Sequence, residues 1–98
     1  MAVAMHMQFT HCTQQQYDDV VKELKLKTQN PAGLLHHVAG PLENGGWCVM
    51  DVWETQGHFD RFFKEKLEAS MRNHKIEPPQ VRTFNVHNFL GPHAMARH

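Results

Sequence analysis

The order of patterned segments along 98 residues is the feature that most constrains this fold. Segments rich in β-branched, aromatic and Met residues predict strands at 1–9, 34–39, 47–53 and 81–89. Helical spacing of apolar residues predicts a helix at 13–27 and another from Thr55 to the Pro78-Pro79 pair. The order βαββαβ predicts an α+β, ferredoxin-like fold, in which two helices lie on one face of a four-stranded antiparallel sheet.

Local signals support both helices and define one domain. Thr13 followed by Gln16 is a capping-box pattern, and apolar residues then recur at i, i+3, i+4 and i+7 from Tyr17. The second helix has Thr55 as its N-cap and an apolar side that includes Phe59. No linker or low-complexity segment interrupts the order. We therefore predict a single domain over residues 1–90 and a polar C-terminal tail over residues 91–98.

Composition excludes several classes of partner. Ten Lys plus Arg balance ten Asp plus Glu, so the chain has no basic patch on the scale that nucleic acid or an anionic membrane requires. It has no signal-peptide pattern and no apolar run long enough to span a bilayer. Cys12 and Cys48 stand at no metal or redox spacing, which favours two free thiols. We predict a cytoplasmic protein that binds neither nucleic acid nor membrane.

The third strand is apolar on both of its faces. Alternation along a strand separates Cys48, Met50 and Val52 from a second set on the opposite face. That second set consists of Trp47, Val49, Asp51 and Trp53. Two helices cover only one face of a sheet, so the other should be polar in a monomer. An apolar open face predicts an interface or a ligand cavity, and a homodimer that packs sheet against sheet would provide both.

The chain also resembles a known family. The stretches Pro31-Ala-Gly-Leu-Leu and Gly46-Trp-Cys-Val-Met-Asp-Val-Trp-Glu-Thr, with Phe59, resemble the antibiotic biosynthesis monooxygenase (ABM) domain over roughly Val3 to Phe89. The sharpest part is the strand-to-helix corner Val52-Trp53-Glu54-Thr55. The resemblance implies a dimeric α/β barrel with a cavity on each side, between helices and sheet or along the barrel. It also implies a small apolar or aromatic ligand and no cofactor.

The catalytic residues of that family are mostly replaced here. Its cofactor-free anthrone oxygenases have an Asn four residues before the corner Trp and a Tyr six after. This chain keeps Trp53 but has Val49 and Phe59 at those two positions. The haem-degrading branch has a Trp and a haem-ligating His on the second helix, where this chain has Phe62 and Arg72. Neither chemistry is encoded in its usual form.

Nine histidines invite a metal interpretation, but their spacing does not support one. His36 and His37 are neighbours on a strand and point to opposite faces, so they cannot hold one ion together. The sequence leaves open which of the two faces the cavity. There is no zinc-binding motif, and we predict no metal site. His87 is on a strand with Thr83 and Asn85 on the same side, and it is a candidate acid/base partner of Asp51.

These patterns give a set of candidate residues and three functional alternatives. The catalytic candidates are Trp53, His87 and Asp51. The predicted ligand pocket consists of Trp47, Val49, Phe59, Phe62, Tyr17, His36 and His37. The first hypothesis is an ABM-like homodimer that binds a small apolar or aromatic molecule, with cofactor-independent monooxygenation as its candidate activity. The alternative is a non-catalytic dimer that binds or scaffolds. Haem degradation is the third hypothesis.

Overall fold

The computed structural model describes residues 1–91 and has the predicted α+β fold. Its elements are β1 (Val3–Phe9), α1 (Gln14–Glu23), β2 (Leu34–Pro41), β3 (Trp47–Trp53), α2 (Gln56–Phe62), a π-helical segment (Phe63–Leu67), α3 (Glu68–Asn73) and β4 (Gln80–Asn85). The last three helical segments follow one another without a break and together form the predicted second helix. The predicted tail lies, from residue 92 onward, outside the described residues.

The four strands form one antiparallel sheet in the order β2-β3-β1-β4. In β1, Met5 and Met7 belong to the buried core, which lies between the sheet and the helices. Tyr17 from α1 and Phe63 and Leu67 from the π-helical segment pack against this core. The helices therefore cover one face of the sheet, and the other face is left open.

Both helix starts follow the sequence signals, but the ends of two elements differ from the prediction. The Thr13 side chain accepts a hydrogen bond from the Gln16 backbone, and the Gln16 side chain accepts one from the Thr13 backbone. The predicted end of α1 near residue 27 is wrong, because Lys25 has a positive φ of 55° and breaks the helix. The predicted end of the last strand at residue 89 is also wrong. Its regular pairing ends where Asn85 lies opposite Val3, and one further backbone hydrogen bond joins the Val86 N–H to the Ala2 carbonyl.

The register of the β2–β3 hairpin determines on which face of the sheet His36 and His37 each lie. Its register places His37 opposite Asp51, on the covered face, and His36 opposite Val52, on the open face. The turn ends at Gly46, whose φ is +88° and whose hypothetical Cβ would lie 2.5 Å from the Phe9 carbonyl oxygen. A side chain at this position would therefore collide with backbone. A β-bulge between residues 34 and 36 ends the regular pairing.

The open face of the sheet carries exposed apolar side chains. Val38, Met50 and Phe84 are 49%, 46% and 62% exposed. The two tryptophans are instead on the covered face, where Trp47 and Trp53 are buried. Both faces of β3 are thus apolar, as predicted. Within residues 1–91, none of the helices has the length and apolar character that a membrane span requires.

Candidate functional site

A cavity of about 300 Å³ lies between the helices and the covered face of the sheet. This volume is at the lower end of the range of small-molecule sites. Apolar and aromatic side chains form most of its wall, including Met7, Val49, Trp47, Trp53, Phe62 and Leu67. Polar groups are few, so a ligand here would be held mainly by apolar contact and oriented by a small number of hydrogen bonds.

A chain of four hydrogen-bonded side chains crosses one wall of the cavity. The hydroxyl oxygen of Tyr17 is 2.6 Å from Nε2 of His37. Nδ1 of His37 is 2.5 Å from Oδ1 of Asp51. The second carboxylate oxygen accepts a hydrogen bond of 3.2 Å from Nε1 of Trp53. All four residues line the cavity.

The carboxylate fixes the direction of these hydrogen bonds. Ionised Asp51 only accepts hydrogen bonds, so Nδ1 of His37 donates to it. In a neutral imidazole Nε2 then carries the lone pair, and the hydroxyl of Tyr17 donates to it. An Asp on one imidazole nitrogen and a hydroxyl on the other is the arrangement by which catalytic triads orient a general base. The site therefore has the parts of a proton-accepting chain.

Three elements bring these groups together from the cavity floor to its rim. Asp51, on the central strand β3, is only 6% exposed. The His37 side chain, on the edge strand β2, is 32% exposed and is therefore in contact with solvent. Tyr17 lies in the first turn and a half of α1, whose start is fixed by the Thr13 cap. A proton taken up inside the cavity would thus have a path to water through the imidazole.

Burial favours the neutral, protonated forms of two side chains at the cavity. The pKa of Tyr17 is raised above its ordinary value by burial, and further by the negative charges of Asp51 and Asp18. The phenol is therefore neutral near pH 7 and can both donate and accept a hydrogen bond. Burial also raises the pKa of the Cys12 thiol, which lines the cavity. A thiol that is protonated in this way is not an activated nucleophile.

Aromatic contacts set the shape of the cavity. The ring of Tyr17 lies 5.1 Å from that of Trp47, measured between centroids. The ring of Trp53 lies 5.6 Å from each of Phe59 and Phe62. Nε1 of Trp47 is buried and has no hydrogen-bond partner among the described residues. Trp47 and Trp53 thus lie at different parts of the cavity wall, and each packs against aromatic rings from a helix.

Most of the predicted site residues meet at this cavity. The ones that line it are Trp47, Val49, Asp51, Trp53, Phe62, Tyr17 and His37. Phe59 packs edge-on against Trp53 behind the wall. His36 projects from the open face, where its ring meets that of Phe89 at a centroid distance of 5.9 Å.

His87 lies away from Asp51. The last strand ends at Asn85, so His87 follows it in an exposed segment. The imidazole that is hydrogen-bonded to Asp51 belongs to His37. The sequence predicts a strand through His87, but the regular pairing of β4 with β1 ends at Asn85, followed by one backbone hydrogen bond from Val86 to the Ala2 carbonyl.

Several residues of the cavity wall were not predicted from the sequence. Leu34, Cys12 and Met71 also line the cavity. Met71 had a usable signal, because it continues the apolar stripe of the second helix, whereas no spacing in the sequence placed Leu34 or Cys12 at the cavity. Across residues 1–91, no three or more His, Cys, Asp or Glu side chains are placed to hold a metal ion together.

Comparison with solved structures shows the same fold in ABM-domain proteins. A candidate antibiotic biosynthesis monooxygenase from Chloroflexus aurantiacus superposes with a TM-score of 0.68 at 10% identity, covering 93% of this chain and 98% of that one. SnoaB, a cofactor-independent oxygenase from Streptomyces nogalater, gives 0.64 at 11% identity, covering 91% and 95%. A protein of unknown function from Nitrosomonas europaea gives 0.70 at 13% identity, covering 93% and 94%.

These likenesses confirm the resemblance predicted from the sequence at the level of the fold. The chain has the ABM-type α+β fold, and the match extends over most of each neighbour. No family model matches the sequence, and no curated protein matches it. At identities of 10 to 13% the activity of a neighbour does not transfer.

Proposed function

We propose that this protein binds a small aromatic molecule in the helix–sheet cavity and oxidises it with O₂, without a metal or organic cofactor. The observation that carries the proposal is the Tyr17–His37–Asp51 chain in the wall of an apolar cavity. This hydrogen-bonded chain supplies a base beside a bound ligand. The apolar wall supplies a water-poor space of about 300 Å³ for a flat ring system.

The substrate that suits this arrangement has a methylene group next to aromatic rings, which tautomerises with a carbonyl group of the same molecule to give an acidic hydroxyl. Its hydroxyl donates to the Tyr17 oxygen while the Tyr17 hydroxyl donates to Nε2 of His37. One concerted shift along these hydrogen bonds leaves the substrate as an anion and His37 as an imidazolium. Asp51 stabilises that imidazolium and holds its ring in place, and Trp53 in turn holds the carboxylate. Tyr17 stays neutral before and after the shift.

Oxidation then follows from the chemistry of the anion and O₂. An electron passes from the anion to O₂, and the two radicals combine to a hydroperoxide at the former methylene carbon. Loss of water from this hydroperoxide gives a carbonyl group. One oxygen atom of O₂ ends in the carbonyl, and the other leaves as water with both methylene hydrogens. The protein supplies the base, the orientation and the apolar space, and O₂ is the oxidant.

We also propose that two copies associate through their open sheet faces. The exposed apolar side chains there, which we call the apolar patch, are Val38 and its cross-strand partner Met50, with Phe84 on the opposite edge strand. The strand positions of this face include no Asp or Glu, so apposed faces would bury no carboxylate. A second copy presents a sheet face of the same twist, on which the apolar patch lies beside polar side chains such as Arg82, and it is the occupant that we propose.

Binding and oxygen consumption test the catalytic proposal directly. Anthrone-like phenols should quench tryptophan fluorescence, because Trp47 and Trp53 line the cavity, and should consume O₂. Tyr17→Phe and His37→Gln should each slow turnover by at least tenfold, within the range of general-base contributions. His36→Gln is the matched control on the open face and should retain the activity. Equal turnover by the His37 and His36 variants would overturn the assignment of the base.

A non-catalytic binding role is the second candidate, and one observation favours it. Val49, at the position where the resemblance places a catalytic Asn, is in the cavity wall and offers no hydrogen bond. Tight binding of aromatic ligands by a protein that consumes no O₂ would decide for this role. Haem handling predicts a Soret-band shift on titration, and an unchanged haem spectrum would dismiss it.

A further inference from the structure

A histidine, a cysteine and a methionine lie close together on the open face of the sheet. Nε2 of His6 on β1 is 3.1 Å from Sγ of Cys48 on β3. Met50 is the direct cross-strand partner of His6, and it lies two residues after Cys48 on the same face. We call these three residues the donor cluster. It is separate from the cavity, which is on the other face.

The spacing within the cluster suits a shared metal ion. Metal–N and metal–S bonds of about 2.0–2.1 and 2.3 Å, meeting at roughly 90–110°, put the two ligand atoms about 3.1–3.6 Å apart. The His6–Cys48 distance is already within this range. The pair therefore needs little movement to chelate, and β1 and β3 are neighbouring strands that hold its backbone in place.

The chemistry of the donors selects the ion. Thiolate and thioether sulfurs favour Cu(I), whereas carboxylates and carbonyls favour hard ions. The strand positions of the open face carry no Asp or Glu, and Arg82 is the cross-strand partner of His6 on its other side. A thiolate with Cu(I) is a neutral unit beside this guanidinium, but a divalent ion would leave an uncompensated positive charge.

We propose that His6, Cys48 and Met50 form a Cu(I) site on the open sheet face. This inference goes beyond the proposed function, because it uses none of the cavity residues. Cys48 supplies the thiolate, His6 a neutral imidazole and Met50 a thioether. In a sheet-to-sheet dimer the cluster would lie at the interface, so that copper binding and association would be linked.

Anaerobic competition with bicinchoninate, a chromophoric Cu(I) chelator, measures the site on the intact protein. We expect one Cu(I) per chain and an ultraviolet sulfur-to-copper absorption band. Cys48→Ser and His6→Gln should each weaken binding by at least about tenfold, and Met50→Leu by a smaller factor. His36→Gln, on the same face but outside the cluster, should bind as the unchanged protein does. Zn(II) should not compete at equal concentration.

Two results would overturn the proposal. One is a failure of the unchanged protein to withdraw Cu(I) from the chelator. The other is binding that persists in Cys48→Ser and His6→Gln. Circular dichroism checks that each variant is folded, and Cys48→Ala provides a second variant if the Ser one is not. Because these variants leave the cavity intact, loss of copper binding and loss of oxygenase activity are distinguishable.

Discussion

His37 and Asp51 face each other across β2 and β3, with Nδ1 of the imidazole 2.5 Å from Oδ1 of the carboxylate. The acid is buried in the sheet, while the imidazole reaches the rim of the cavity. This pair therefore joins a buried carboxyl group to an imidazole that is in contact with solvent. The Tyr17 hydroxyl on the far nitrogen extends the connection to the ligand space.

Alkaline titration of Tyr17 tests the electrostatics of the site. The chain has a single Tyr, so the ultraviolet absorbance of ionised phenol reports this residue alone. We expect a midpoint above the ordinary value of 10.0, because burial and two nearby carboxylates disfavour the anion. Asp18→Asn should lower the midpoint, since it removes one of those charges. The same titration in urea should return the ordinary value.

The sign of the effect on stability follows from this raised pKa. The folded state holds the phenolic proton more tightly than the unfolded chain does. The stabilisation is therefore fully present below pH 10.0 and is lost as the pH rises through the folded-state pKa. A midpoint at or below 10.0 in the folded protein would contradict the buried, carboxylate-flanked position of Tyr17.

Filling the cavity should remove ligand binding while the fold persists. Val49 is buried in the cavity wall, and Val49→Phe places an aromatic ring in the ligand space. We expect affinity for aromatic ligands to fall by more than tenfold, measured by fluorescence titration. The free energy of unfolding should fall by about 1–3 kcal/mol, the usual cost of overpacking. Val38→Phe on the open face is the matched control, and equal loss of binding there would place the ligand elsewhere.

The hairpin turn offers a paired test of backbone geometry. Gly45 and Gly46 both have positive φ, at +89° and +88°. A Cβ at Gly45 meets nothing within 4 Å, but one at Gly46 lies 2.5 Å from the Phe9 carbonyl oxygen. Gly45→Ala should cost about 1–2 kcal/mol of unfolding free energy for its conformation alone. In urea denaturation, Gly46→Ala should lower the free energy of unfolding clearly more than Gly45→Ala does. Equal losses in the two variants would contradict a collision between the added Cβ and the Phe9 carbonyl oxygen.

Self-association should depend on the open face. Phe84 is 62% exposed, so Phe84→Asp removes little core packing but adds a charge to the apolar patch. We expect sedimentation to show a dimer of the unchanged chain and a folded 11.4 kDa monomer of the variant. Asp60→Asn, on the solvent side of α2, is the control and should leave the dimer intact. A monomeric unchanged protein would disprove the sheet-to-sheet dimer.

The sequence predicted the sheet, the helices and most of the cavity, because hydrophobic periodicity and caps are local signals. The bounds of β3, the Thr13 and Thr55 caps and the apolar cavity wall all follow from such signals. Which of His36 and His37 faces the cavity could not be predicted in this way. Alternation puts the two on opposite faces, and the register of the partner strand determines which face each one takes. That register depends on how many residues the hairpin turn consumes.

The misplacement of His87 has a related cause. The first strand is predicted from residue 1 but pairs regularly only from Val3, so the regular ladder of β4 ends at Asn85, two residues before His87. The contact between Tyr17 and His37 joins residues from a helix and an edge strand. The residue spacing within either segment does not determine how far apart Tyr17 and His37 lie, because that distance depends on how the helix packs on the sheet.

The π-helical segment Phe63–Leu67 makes the cavity sensitive to chain length as well as to side-chain identity. A π turn accommodates an extra residue in a helix, which rotates everything after it by about 100° relative to an uninterrupted α-helix. Leu67 and Met71 reach the cavity from within and beyond this turn. Deleting one residue here would swing Met71 away from the ligand space and bring a neighbouring side chain toward it. A single codon lost or gained could thus reshape one wall of the cavity while the sheet, and the base it carries, stayed as they are.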